Sequence, residues 1–86
     1  MSQKIDEKVS VVVAFDHAKR KTQPIKVVWR KHTYTFKQFG FYHKYKHGDT
    51  TFHVISAVCD NLNFRLTLNS ETLSWTLDEV FDANIG

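Results

Sequence analysis

The residues that favour extended backbone, Val, Ile, Thr, Phe, Tyr and Trp, fall in short runs divided by polar or Gly-containing breaks, and no long segment repeats apolar side chains at the helical period. A chain patterned this way is committed to strands. Its 86 residues suit one domain, and a single cysteine, Cys59, leaves no intrachain disulfide to staple it. Stability must come from a sheet that buries one face, or from pairing with a second copy.

The runs read as about six antiparallel strands in meander order. The first, Val9 to Phe15, is apolar on both faces and asks for cover on both sides or for a partner chain. Asp16 to Gln23 is a basic loop, and Pro24, which cannot donate to a ladder, marks entry to the second strand. There Ile25, Val27 and Trp29 point to the core while Lys26 and Arg30 point to water. Lys31 and His32 stand where a tight turn is expected. A long third strand runs from Thr33 to about Lys46, and its apolar parity changes from even (Tyr34, Phe36) to odd (Phe39, Phe41, Tyr45). A period-two strand changes faces only at a bulge, bend or break, which predicts one between Lys37 and Gly40.

His47-Gly48-Asp49 turns the chain into a fourth strand, Thr50 to Cys59, and Asp60-Asn61 turns it into a fifth with Phe64, Leu66 and Leu68 inward. Asn69-Ser70-Glu71 leads to a sixth, with Leu73, Trp75 and Leu77 inward. Asp78 is placed to cap a short C-terminal helical turn carrying Val80 and Phe81. The expected fold is therefore all-β, a small half-open barrel or roll. It comprises an N-terminal strand plus basic loop (1–23), a β-meander core (24–80) and a tail (81–86).

A formal charge of +3 conceals a split: residues 1–48 hold 11 Lys/Arg against 3 Asp/Glu, a balance of +8, and residues 49–86 hold 1 against 6, a balance of −5. Such a division suits a basic face for an anionic partner, or two halves that attract each other. The opening M-S-Q-K-I-D-E-K has no sustained apolar stretch, and Val9 to Phe15 is too short to span a bilayer. With one cysteine, these features lead to the expectation of a soluble cytoplasmic protein with no membrane partner.

The stretch P-I-K-V-V-W-R-K-H-T-Y (Pro24 to Tyr34), then G-F-Y-H-K-Y-K-H-G-D-T-T-F-H-V-I-S (Gly40 to Ser56) and F-R-L-T-L-N-S-E-T-L-S-W-T-L-D-E-V (Phe64 to Val80), resembles a group of short uncharacterised bacterial β-rich proteins. Their landmarks are a Pro followed at short range by Trp-Arg, and a Leu-x-Trp-x-Leu-acid-acid strand. The resemblance implies a compact β fold and transfers no catalytic residue. This chain departs from the pattern after Trp29-Arg30, where Gly is expected and Lys31-His32 is found.

Three constellations bear on function. Basic and aromatic residues interleave in the first half, and small β-barrels bind single-stranded nucleic acid by joining a cationic groove to aromatic stacking platforms. Lys26, Arg30, Lys44 and Lys46 are the candidates for phosphate contact and Tyr42 for a stacking ring. The competing reading makes the aromatics core and the lysines a solvated exterior. Second, a homodimer could form through the Val9–Phe15 strand, giving a structural or protein-interaction module. Third, His43 and His53 face each other if the hairpin loop is the three residues His47 to Asp49, close enough to hold a transition metal; a two-residue loop puts Val54 opposite His43 instead. Catalytic signals are missing: there is no G-x-S-x-G, no Gly-rich phosphate loop and no forced carboxylate pair, and Cys59 reads as a small apolar strand residue. The expectation is a non-enzymatic binding module without a cofactor.

Overall fold

A computed structural model describes residues 2–82. It contains seven strands and, among the described residues, no helix: β1 (Ser2–Asp16), β2 (Lys21–Trp29), β3 (His32–Thr35), β4 (Gln38–His47), β5 (Thr50–Cys59), β6 (Leu62–Asn69) and β7 (Trp75–Asp82). All pair antiparallel in one open sheet of order β3-β2-β1-β7-β6-β5-β4. The two edge strands, β3 and β4, are consecutive in sequence and joined only by Phe36 and Lys37. Phe36 N–H donates to Ile25 O (2.9 Å) and Lys37 N–H to Val58 O (2.8 Å), so two residues tie opposite edges of the sheet together. The sheet must roll to permit this.

Bulges supply the curvature. A register shift leaves Ile25 extra between Val12↔Lys26 and Val13↔Pro24; another leaves Gly40 and Phe41 between Phe39↔Ala57 and Tyr42↔Ile55. A third leaves Asp78 unpaired between Leu77 and Glu79 on both its ladders, beside Asp6 at φ 52°. Each extra residue bends its strand and raises the local twist.

Inside the roll, Ile55, Leu66 and Leu77 form one cross-strand row, and Ala57, Phe64 and Val80 form the next. Phe64, Leu66, Leu77 and Val27 are fully buried, each contributing on the order of 1.5–3 kcal/mol by leaving water. Phe64 also anchors an aromatic cluster, with Tyr34, Phe36 and Trp29 rings at 5.0, 5.6 and 6.3 Å.

Several expectations need correction. Seven strands replace six because the long third strand breaks at Phe36-Lys37 into β3 and β4. The expected change of face takes the form of this break together with a bulge at Gly40-Phe41. The Gly40-Phe41 bulge keeps Tyr42, Lys44 and Lys46 on the core side of the sheet, leaving Phe41, His43 and Tyr45 on the outer side. No C-terminal helical turn forms: Asp78, Val80 and Phe81 belong to β7, which pairs on both edges; the rest of the expected tail, 83–86, lies outside the described residues. Leu73 is not inward but 71% exposed at φ 60°, in a turn where Asn69 Oδ1 accepts from the N–H groups of Glu71 (2.9 Å) and Thr72 (3.1 Å). The first strand is longer than Val9 to Phe15, since Ser2–Val9 pairs with β7. No helix among the described residues is long and apolar enough to cross a membrane.

Candidate functional site

The roll leaves a seam. β3 covers β2 only from Lys26 to Trp29, and β4 pairs with β5 alone, so β2 between Lys21 and Pro24 and β4 present facing free edges. Between them opens a cleft of about 510 Å³. Arg20 and Lys21 stand on the β2 wall, Phe39, Phe41 and Tyr42 on the β4 wall, and Trp75 is among the residues at its base. Among the described residues, no carboxylate lines it.

Local sequence explains each wall. Asp16 Oδ1 accepts from Ala18 N–H (3.0 Å) and Lys19 N–H (3.2 Å), an Asx turn that carries the chain round to Arg20 at φ 52° and delivers Lys21 to the start of β2. On the opposite wall, a Cβ at Gly40 would lie 2.7 Å from Ser56 Oγ, so only glycine lets β4 come this close to β5 at the bulge. Tyr42 is fixed by a 2.7 Å hydrogen bond between its hydroxyl and His53 Nδ1, with the two rings stacked at 5.9 Å. Lys21 Nζ spans the cleft to within 5.7 Å of the Tyr42 ring centre, a cation–π contact.

Lys44 pairs with His53 and Lys46 with Thr51, which places both on Tyr42's side of the sheet, farther along the hairpin and exposed. Lys26 and Arg30 are elsewhere. Lys26 sits between Val12 and Thr35 on the outer side of β2, and Arg30 occupies the β2–β3 turn. Arg30 is engaged: it binds Glu7 at 2.7 Å and lies over the Trp29 ring at 4.8 Å. Its guanidinium, with the Trp29 indole N–H, holds the Glu7 carboxyl below the usual range, and Glu7 in turn raises Arg30. The structure thus gathers Tyr42, Lys44 and Lys46 and separates them from Lys26 and Arg30. Arg20 and Lys21 join the site, and their signal was the basic loop between Asp16 and Gln23.

His43 and His53 do not meet. The loop is the two residues Gly48-Asp49, with Gly48 at φ 64°, so His47 pairs with Thr50 and His43 with Val54. His43 lies between the Phe41 and Tyr45 rings, tilted against each, on the outer face, while His53 binds Tyr42 on the inner one. Among the described residues no three His, Cys, Asp or Glu side chains converge as metal ligands. Cys59 is buried, and desolvation, then the charge of Asp60, pushes its thiol up, away from nucleophilic use.

On the outer face, Phe41, His43, Tyr45 and Phe52 border a shallow groove with Arg65, Asp78 and Glu79; Arg65 is bridged to Glu79 at 2.9 Å. Acids and bases are mixed there, in contrast to the seam. No protein-family model, curated protein or solved structure matches this chain.

Proposed function

We propose that this protein binds single-stranded nucleic acid along the seam between β2 and β4. One observation carries the reading: the cleft combines Arg20 and Lys21 with the exposed rings of Phe39 and Tyr42, and among the described residues no carboxylate lines it. Cations draw the phosphate chain, and exposed rings accept unpaired bases through their π faces whatever the sequence. Lys44 and Lys46 extend the cationic track beyond the cleft on the same side. A duplex keeps its base faces stacked inside, so the rings favour a single strand. Lys26 and Arg30 drop out of the contact set, the first by position and the second because Glu7 and Trp29 already hold it.

Fluorescence anisotropy with a labelled single-stranded oligonucleotide tests this. Lys21→Glu with Lys44→Glu should weaken binding by about tenfold or more and flatten the salt dependence, each lost phosphate contact removing about 0.7 from the log–log slope. Tyr42→Ala should cost about 1–3 kcal/mol of stacking. Lys26→Glu should leave the curve nearly unchanged. Absence of binding at low ionic strength, or equal losses from Lys26→Glu and Lys21→Glu, overturns the assignment.

A further inference from the structure

β1 is paired in two halves. Ser2–Val9 pairs with β7 and Ser10–Asp16 pairs with β2, on opposite edges, so among the described residues the β7-side edge of Val11–Phe15 has no ladder. Among the described residues, no backbone hydrogen bond from a turn or loop caps it. Its side chains are Val11, Val12, Val13, Ala14 and Phe15, with Val12 49%, Val13 43% and Phe15 64% exposed. Exposed Val28 lies diagonally across from Val12 on the outer side of the same ladder. Soluble proteins blunt such edges with charge, proline, bulges or brevity. The other free edges here follow that rule: β3 has four residues, β4 carries Lys44 and Lys46 and a bulge, and the open part of β2 holds Lys21 and Pro24. Val11–Phe15 carries no charge and no proline, and the register shift at Val12/Val13 puts its extra residue on β2 rather than on this edge.

We infer that this edge is a homodimer interface in which Val11–Phe15 pairs antiparallel with the same segment of a second copy about a two-fold near Val13. An uncharged, β-branched edge selects an uncharged, β-branched strand, and pairing it with itself satisfies both copies at once. The charges around it agree with a second copy. Antiparallel pairing carries the turn after Asp16, with Lys19, toward the place where β7 begins, beside the turn that holds Glu71. The two-fold repeats that opposite-charge approach. A pairing this short buries less than the roughly 800 Å² per partner of a standard interface, so the dimer should be reversible with concentration.

Light scattering on the intact chain should show a mass rising with concentration from that of one 10.1 kDa chain toward twice that value. Val12→Lys with Val13→Lys should hold it at one chain while leaving the circular dichroism spectrum and melting temperature essentially unchanged, because both side chains are exposed. Val13→Cys should form a disulfide-linked dimer on mild oxidation, with buried Cys59 unreactive and Lys31→Cys as a control that does not cross-link. A single-chain mass at every concentration overturns the proposal. So does a dimer that survives the double lysine variant, or equal cross-linking at positions 13 and 31.

Discussion

Asp78 is the residue whose charge the fold least accommodates. As the bulged residue of β7 it is half-buried beside Asp6 and Glu79, and its carboxylate accepts a short hydrogen bond from the Thr67 hydroxyl. Desolvation raises its pKa; the Thr67 bond opposes this, Asp6 adds to it, and the net direction is up. The folded state therefore binds a proton at higher pH than the unfolded chain does. Stability on this account increases as pH falls from the raised folded value through the ordinary one, and ionised Asp78 is a cost at neutral pH. Asn keeps an oxygen for Thr67 and discards the charge. Asp78→Asn should raise the melting temperature at neutral pH, with its advantage shrinking as the buffer is acidified through the titration range of Asp78. An unchanged or lower melting temperature at neutral pH contradicts this. Glu7 has the opposite sign: Arg30 and Trp29 lower its pKa, so its contribution is present above the ordinary carboxylate range and is lost as pH falls through the lowered value.

Among the elements, the β2–β3 hairpin carries the clearest local conflict. Its two turn residues, Arg30 and Lys31, both adopt positive φ, 51° and 69°, the pattern of a type I′ turn that favours Asn-Gly. Arg30 is compensated by Glu7 and Trp29, whereas Lys31 has an exposed side chain. Lys31→Gly relieves about 1–2 kcal/mol of left-handed strain and forfeits about 0.4–1 kcal/mol through the looser unfolded chain. The expected gain is about 0.5–1 kcal/mol in denaturant midpoint stability, and a loss contradicts it. The sequence placed a tight turn at Lys31 and His32, one residue beyond the observed turn at Arg30 and Lys31, so the turn was legible before the fold was. Other elements were legible to different degrees. The inward set Phe64, Leu66 and Leu68 of β6 followed from alternation alone, because β6 is central and wet on one side only. The Ser2–Lys8 half of β1 did not, since Ile5 is its only large apolar side chain and its partner β7 is the last strand in sequence. Leu73 misled for a local reason: Asn69 hydrogen-bonds into a turn that delays the strand until Trp75. The seam was invisible because it depends on how far a sheet rolls, which bulges at Ile25, Gly40-Phe41 and Asp78 decide together.

For the molecule as a whole, these bulges and the Phe36-Lys37 tie divide the sheet into a stiff middle and open margins. β5, β6 and β7 supply most of the fully or nearly buried side chains and are paired on both edges, whereas every residue of β4 is exposed and β3 is four residues long. Local opening is least costly where burial is least. Hydrogen exchange should then be slowest for β6 and the inner stretches of β5 and β7, and fastest along β4, β3 and the Val11–Asp16 half of β1. The charge division maps onto the same layout, with the basic loop and β4 flanking the seam while Asp78 and Glu79 lie on the outer groove. This separates the two proposed contacts in one measurement. A single-stranded oligonucleotide should slow exchange at Lys21–Gln23 and Phe39–Tyr42 without changing Val12–Phe15, and raising protein concentration alone should slow Val12–Phe15 without changing the seam. Protection of both regions by either treatment makes them one surface, and uniform exchange across β4 and β6 removes the stiff middle from which both readings start.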